Sequence, residues 1–115
     1  MNESVPGVPG IDVVELERVM RGGATLIDVR EHDEFLEARV GGGLLMPLQT
    51  VPDRLGEIPR GQPVYVICAA GARSHQAAAY LREHGVDAVN VFGGTGAWQA
   101  AGFSLESGPF PGPTK

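Results

Sequence analysis

The chain has 115 residues, 43% of them apolar and 20% charged, with a formal net charge of -5, which suits one folded domain and excludes a disordered or fibrous chain. The acidic balance leaves no basic field to draw it to nucleic acid or an anionic membrane. No apolar run reaches the roughly 18 residues of a membrane span, and the start lacks the pattern of a secretory leader. Its single cysteine cannot form an internal disulfide, so a reducing, cytoplasmic setting is expected.

Residues 1–10, rich in Pro, Gly and Val, read as a flexible lead-in, and a folded domain is expected over 11–105. Asp12 followed by Glu15 resembles a capping box, after which Val13, Leu16, Val19 and Met20 share one helical face until Gly22 and Gly23 stop the turn. Thr25 to Arg30, TLIDVR, is short and continuously apolar, as a buried strand is. EHDEFLEARV predicts a brief helix with Phe35 and Leu36 facing inward. GGGLLMPL, closed by Pro47, predicts a flexible loop feeding a strand. VPDRLGEIPRG predicts a helical turn or two ended by Pro59 and Gly61.

Pro63 to Cys68, PVYVIC, joins β-branched and aromatic residues after a proline start and carries the strongest strand signal. SHQAAAYLREHG then predicts a helix with Ser74 as N-cap and Gly85 in the stop position. DAVNVF predicts a further strand and GGTGAW a glycine turn into a helix through Ala101. Residues 106–115 read as a Pro/Gly-rich tail. Strands alternating with helices define an α/β domain with a mainly parallel central sheet and helices on both faces. In such sheets the ligand crevice lies at the carboxyl ends of strands, where Cys68 falls.

The stretch ICAAGARS, residues 67–74, therefore carries the candidate chemistry. Between a strand and a helix, Cys68 to Arg73 forms a tight loop whose free backbone N–H groups and helix N-terminus can lower a thiol pKa into the range of roughly 3.5–7.5. Ala69, Ala70, Gly71 and Ala72 leave the bowl empty, and Gly71 permits backbone angles that other residues resist. Arg73 supplies a fixed cation able to hold the loop or an incoming oxyanion. A lone cysteine is more often just a small buried residue, but the small-residue loop, the arginine and the helix start together favour a reactive thiolate. A nucleotide-binding P-loop is discounted, since GARS lacks its lysine and glycine spacing.

These residues give the chain its resemblance to a single-domain rhodanese, a sulfurtransferase. LIDVRE at 26–31 is similar to the family's opening strand motif, GGGLLMPL stands in the place of its glycine and proline segment, and GGTGAW at 93–98 resembles its closing motif. The resemblance runs from about Ile11 to Leu105. It implies a three-layer fold with a sheet of about five strands. It also implies that Cys68 takes sulfane sulfur from thiosulfate or a persulfide such as glutathione persulfide. The Cys68 persulfide then passes the outer sulfur to a thiol, to cyanide or to a sulfur-relay protein. Backbone amides from Ala69 to Ser74 would bind the sulfur anion with help from Arg73, and no cofactor or metal is implied; His32, His75 and His84 show no ligand arrangement.

Rhodanese-fold phosphatases carry a longer loop than the four residues Ala69 to Ala72 found here, and no acid is evident for a phosphoester leaving group, so a phosphatase ranks below a sulfurtransferase. A non-catalytic scaffold or regulatory module is the alternative from another class, and thiol-disulfide exchange lacks a resolving cysteine. The chain departs from the family at Ala69 and Ala70, where many members carry a basic residue after the cysteine, so a carried persulfide is expected to outperform thiosulfate. It departs again at Arg39 and Gly41, which replace the usual histidine and proline; Arg39 is expected on the solvated surface. Asp28 is expected to cap or pair, Arg30 to meet Glu31 or Glu34, Trp98 to pack in the core, and His75 to be a solvated first-turn residue.

Overall fold

The computed structural model of the chain describes residues 7–110. Five parallel strands form one sheet in the order β1-β5-β4-β2-β3: β1 Gly10–Ile11, β2 Thr25–Asp28, β3 Leu44–Leu45, β4 Pro63–Ile67 and β5 Asp87–Val91. Between them run α1 Val13–Arg21, α2 His32–Glu37, α3 Ala72–Glu83 and α4 Gly94–Ala100, with two 3-10 segments, Leu48–Thr50 and Pro52–Glu57, ahead of β4. The α/β architecture expected from the alternation of strand and helix signals is the one observed. No helix among the described residues is long and apolar enough to cross a membrane.

The strands are apolar because both faces of the sheet are covered. On one face, α3 and the 3-10 segments bury Ile27, Met46, Val51, Val64, Val66, Ala77 and Leu81; on the other, α1 and α4 bury Leu16, Leu26, Ile67, Val91 and Trp98. Residues such as Leu16 and Ile27 are fully buried, each worth about 1.5–3 kcal/mol of removed apolar surface. Adjacent residues of one strand therefore point into different clusters, as the two-residue period requires.

Several local expectations need correction. Gly10 lies in β1 rather than in a lead-in: Gly10 and Ile11 pair with Asn90 and Val91, and the Asn90 N–H donates to the Pro9 carbonyl at 2.9 Å. Two residues are too few for a periodic pattern, and only the edge of β5 makes them a strand. Asp12 does cap α1, accepting from the Glu15 N–H at 2.9 Å, but the Glu15 carboxylate turns to Arg18 instead of closing a capping box. Arg39 is 4% exposed, not solvated. It donates to the carbonyls of Phe35 and Gly108 and lies against the rings of Phe35 and Phe110. An antiparallel bridge between Arg39 and Glu106 completes this seam. Residues 106–110 thus lie along α2; residues 1–6 and 111–115, the ends of the expected lead-in and tail, fall outside the described region.

The chain leaves β2 toward β3 on one side, then returns to β4 on the other and continues to β5. The carboxyl ends of β2 and β4 are thus where the winding reverses, which opens a crevice between the connections that follow them.

Candidate functional site

Cys68 follows directly after β4, and the four residues Cys68 to Gly71 turn the chain back into α3. The helix starts three residues earlier than the sequence suggests. Its N-cap is Gly71, whose φ of +112° only glycine adopts without strain, and Ser74 is the third residue of the first turn. Ser74 is therefore not the cap. The group in the capping position is the cysteine sulfur, which accepts the Gly71 N–H at 3.1 Å and the Ser74 N–H at 3.3 Å. The Ser74 hydroxyl faces the same sulfur at 3.3 Å.

Cys68 is 1% exposed, and burial by itself pushes a thiol pKa up. That push is outweighed by hydrogen bonds to the thiolate, from the Ser74 hydroxyl once its proton turns to the sulfur and from the backbone N–H groups of Ser74, Gly71 and Ala70, so the thiol lies below its ordinary value. Of the amides from Ala69 to Ser74 expected to bind sulfur, those of Gly71 and Ser74 make the hydrogen bonds, with Ala70 adding a smaller pull. Ala69, Ala70 and Ala72 bring no polar side chain to the bowl.

A second helix start holds the loop from behind. The N–H groups of Thr95 and Gly96, in the first turn of α4, donate to the carbonyls of Cys68 and Ala69 at 2.9 and 3.0 Å. Orphan donors of α4 and loop carbonyls thereby satisfy one another. The approach is so close that a Cβ on Gly94 would sit 2.2 Å from the Cys68 oxygen. This close approach is the physical role of Gly94 in GGTGAW, the segment whose sequence predicts a glycine turn into a helix and resembles the family's closing motif.

Arg73 is not a free cation. Its guanidinium donates to both carboxylate oxygens of Glu34 at 2.8 and 2.9 Å. The Arg73 hydrogen bonds, set against partial burial and helped by the Glu31 N–H, hold the Glu34 carboxyl down at about 2. Both side chains remain about a third exposed. Glu34, missed as a site residue, ties α2 to the loop. Arg30 does not meet Glu31 or Glu34 as expected: it grips Asp28 through Nε and Nη2 at 2.9–3.2 Å and donates to the Ala38 carbonyl, with both side chains almost fully buried. Asp28 pairs, as its sequence context suggested, and also accepts the Arg30 N–H.

The remaining candidates fall outside the site. Trp98 packs against Phe103 and donates its indole N–H to the Ser104 carbonyl. His84 stacks on Tyr80, and His32 lies at the surface beside Phe110. Asn90, which the sequence reading did not single out, is buried on β5 and meets the Ser74 hydroxyl at 2.6 Å.

A thiol capped by helix N–H groups at the carboxyl end of a parallel strand defines the chain as an α/β protein with a cysteine set in an anion-binding loop. The particular family follows from comparison with known proteins. A rhodanese-like domain profile matches residues 12–101. Over 81 residues the chain is 37% identical to a sulfurtransferase of Allochromatium vinosum, covering 70% of this chain and 76% of that one. It is 33% identical over 92 residues to the thiosulfate sulfurtransferase GlpE of Actinobacillus succinogenes, covering 79% and 83% of the two chains. A rhodanese-like domain protein from Staphylococcus aureus has the same fold, with a TM-score of 0.80, 33% identity, and coverage of 89% of this chain and all of that one. The chain belongs to the rhodanese-like domain family.

Proposed function

We propose that the protein is a sulfurtransferase that carries sulfane sulfur as a persulfide on Cys68. The thiolate attacks the outer sulfur of a donor, R–S–S⁻ or thiosulfate. The donor's S–S bond breaks as the Cys68 S–S bond forms, and a thiolate or sulfite leaves with the bonding pair. A thiolate or cyanide then attacks the terminal sulfur, restoring the Cys68 thiolate. No net electrons enter or leave, so the chain's own residues suffice.

The observation that carries this reading is the pair of N–H bonds from Gly71 and Ser74 to the Cys68 sulfur, set before the reaction at the atom where negative charge resides. Burial adds a shape criterion: a thiol 1% exposed is suited to a slender S–S terminus rather than a bulky electrophile. A phosphatase reading loses further support because the guanidinium that would bind the phosphoryl oxygens is engaged by Glu34.

The same ion pair bears on the donor. Thiosulfate concentrates two negative charges on one small anion beside its transferable sulfur, whereas glutathione persulfide holds its carboxylates away from the sulfur, and the loop presents Ala69 and Ala70 with its arginine already neutralised. A persulfide borne by a small thiol such as glutathione, or by a relay protein, is the donor that this mouth accepts best.

The test is to incubate the protein with thiosulfate or with glutathione persulfide and record its intact mass before and after cyanide, with Cys68→Ala alongside. The expected result is one added sulfur atom on the wild type, absent from the variant and removed by cyanide, with faster loading from the persulfide. No adduct from either donor would overturn the sulfurtransferase reading in favour of a non-catalytic module.

A further inference from the structure

The Ser74 hydroxyl has one proton and three neighbours: Asn90 Oδ1 at 2.6 Å, the Gly71 carbonyl at 3.2 Å and Cys68 Sγ at 3.3 Å. A single proton cannot serve all three. In the arrangement observed it is directed to Asn90, the shortest contact, which leaves an Oγ lone pair facing the sulfur. That polarity suits a neutral thiol, whose S–H donates to Oγ. It is the wrong polarity for a thiolate, which only accepts.

Asn90 can resolve the conflict because a carboxamide carries an acceptor and a donor on opposite sides of one rotatable group. A half-turn would present Nδ2 to Ser74 Oγ and release the hydroxyl proton toward the sulfur. Among the described residues Nδ2 has no hydrogen-bond acceptor, so the half-turn breaks no other bond to them. Ser74 is 0% and Asn90 4% exposed, which leaves little room for water to substitute. Asn90 also interrupts the buried run Ala88, Val89, Asn90, Val91 of β5, where an apolar residue would satisfy packing alone.

We propose that Asn90 is a positioning residue for the sulfur chemistry, accepting from Ser74 while Cys68 is a thiol and donating to Ser74 when Cys68 is a thiolate or persulfide anion. The inference rests on the reading of Cys68 as the nucleophile. The charged groups around the sulfur are Arg73 of α3 with its partner Glu34 from α2, and the Asp28–Arg30 pair at the end of β2. From β5 and α4 the neighbouring polar residues are Asn90 and Thr95, both uncharged, so the pair Ser74–Asn90 is the polar link that can change direction without moving a charge.

The test follows Cys68 ionisation directly, by thiolate ultraviolet absorbance and by the pH dependence of alkylation, in the wild type, Asn90→Ala, Asn90→Leu, Ser74→Ala and Ser74→Ala/Asn90→Ala, each checked by thermal melting. Donation from Nδ2 polarises the hydroxyl that in turn donates to the thiolate, so the bond to Asn90 is stronger in the thiolate state than in the thiol state. The expected result is therefore a midpoint raised by about one pH unit, or tenfold less thiolate at a fixed pH below it, in both Asn90 variants. Asn90→Leu keeps the volume filled, so lost packing cannot account for its rise. In the Ser74→Ala background, removing Asn90 is expected to add nothing. An unchanged midpoint in Asn90→Ala and Asn90→Leu, or a shift that persists without Ser74, overturns the proposal. No sulfur donor is used, so failure of sulfur loading in the mass experiment would sink the persulfide reading while leaving this result intact.

Discussion

Two guanidinium–carboxylate pairs stand at the same end of the sheet, and they differ in burial rather than in chemistry. Arg30 holds Asp28 with side chains 6% and 2% exposed, whereas Arg73 holds Glu34 with side chains 36% and 33% exposed. The first pair is two residues apart in sequence and joins the end of β2 to the Ala38 carbonyl after α2. The second spans thirty-nine residues and joins α2 to the start of α3. Cost of desolvation separates them. A charge inside the protein is tolerated only while its partner and hydrogen bonds are complete, while a pair at the rim is screened by water and contributes little. The inner pair is accordingly a fixed structural joint, and the outer pair sets the charge at the mouth of the Cys68 loop.

The largest effect should come from breaking the inner joint. Arg30→Ala leaves the buried Asp28 carboxyl group without its partner, and should cost about 3–5 kcal/mol of stability, read from denaturant unfolding. A loss no greater than that of an exposed pair would show that the two sites do not differ as their burial implies.

Next comes Glu34→Gln, expected to cost less than about 1 kcal/mol in the same unfolding measurement. Its larger consequence is functional. An unpaired Arg73 should speed loading of sulfur from thiosulfate several-fold relative to glutathione persulfide, and should draw the Cys68 titration further down. Unchanged donor preference would mean that the pair does not govern the mouth.

The smallest effect is acid sensitivity. The Glu34 carboxyl is held at about 2 in the folded chain against an ordinary 4.5, so its folded value is depressed. Its contribution is fully present above the ordinary value and is lost as pH falls from about 4.5 toward 2. Comparing wild type with Glu34→Gln across that window should show the stability difference closing. A difference that stays constant to pH 2 would contradict the assignment.

The strands other than β1, the helices and the cysteine's place at a strand end were legible because each depends on residues near one another in sequence. PVYVIC announces a buried strand by its own composition, and small residues after Cys68 announce an open loop. The start of α3 was misread at Ser74 because serine is a common cap, whereas here Gly71 and the cysteine sulfur fill that position. Arg39 was expected in solvent for a similar reason. Nothing beside it in sequence foretells that Glu106, Gly108 and Phe110 will pack over it.

By itself, then, the sequence determined an α/β chain with one thiol delivered to the carboxyl end of a buried strand, since periodicity, turn glycines and side-chain size act over a few residues. Tertiary structure alone decided that Glu34 neutralises Arg73, that α4 donates to the loop carbonyls and that Asn90 meets Ser74. These contacts join residues 16–39 positions apart or separate helix starts. The reason is that a buried polar group takes whichever complementary partner the closed fold brings within hydrogen-bond distance, and local spacing carries no record of that choice.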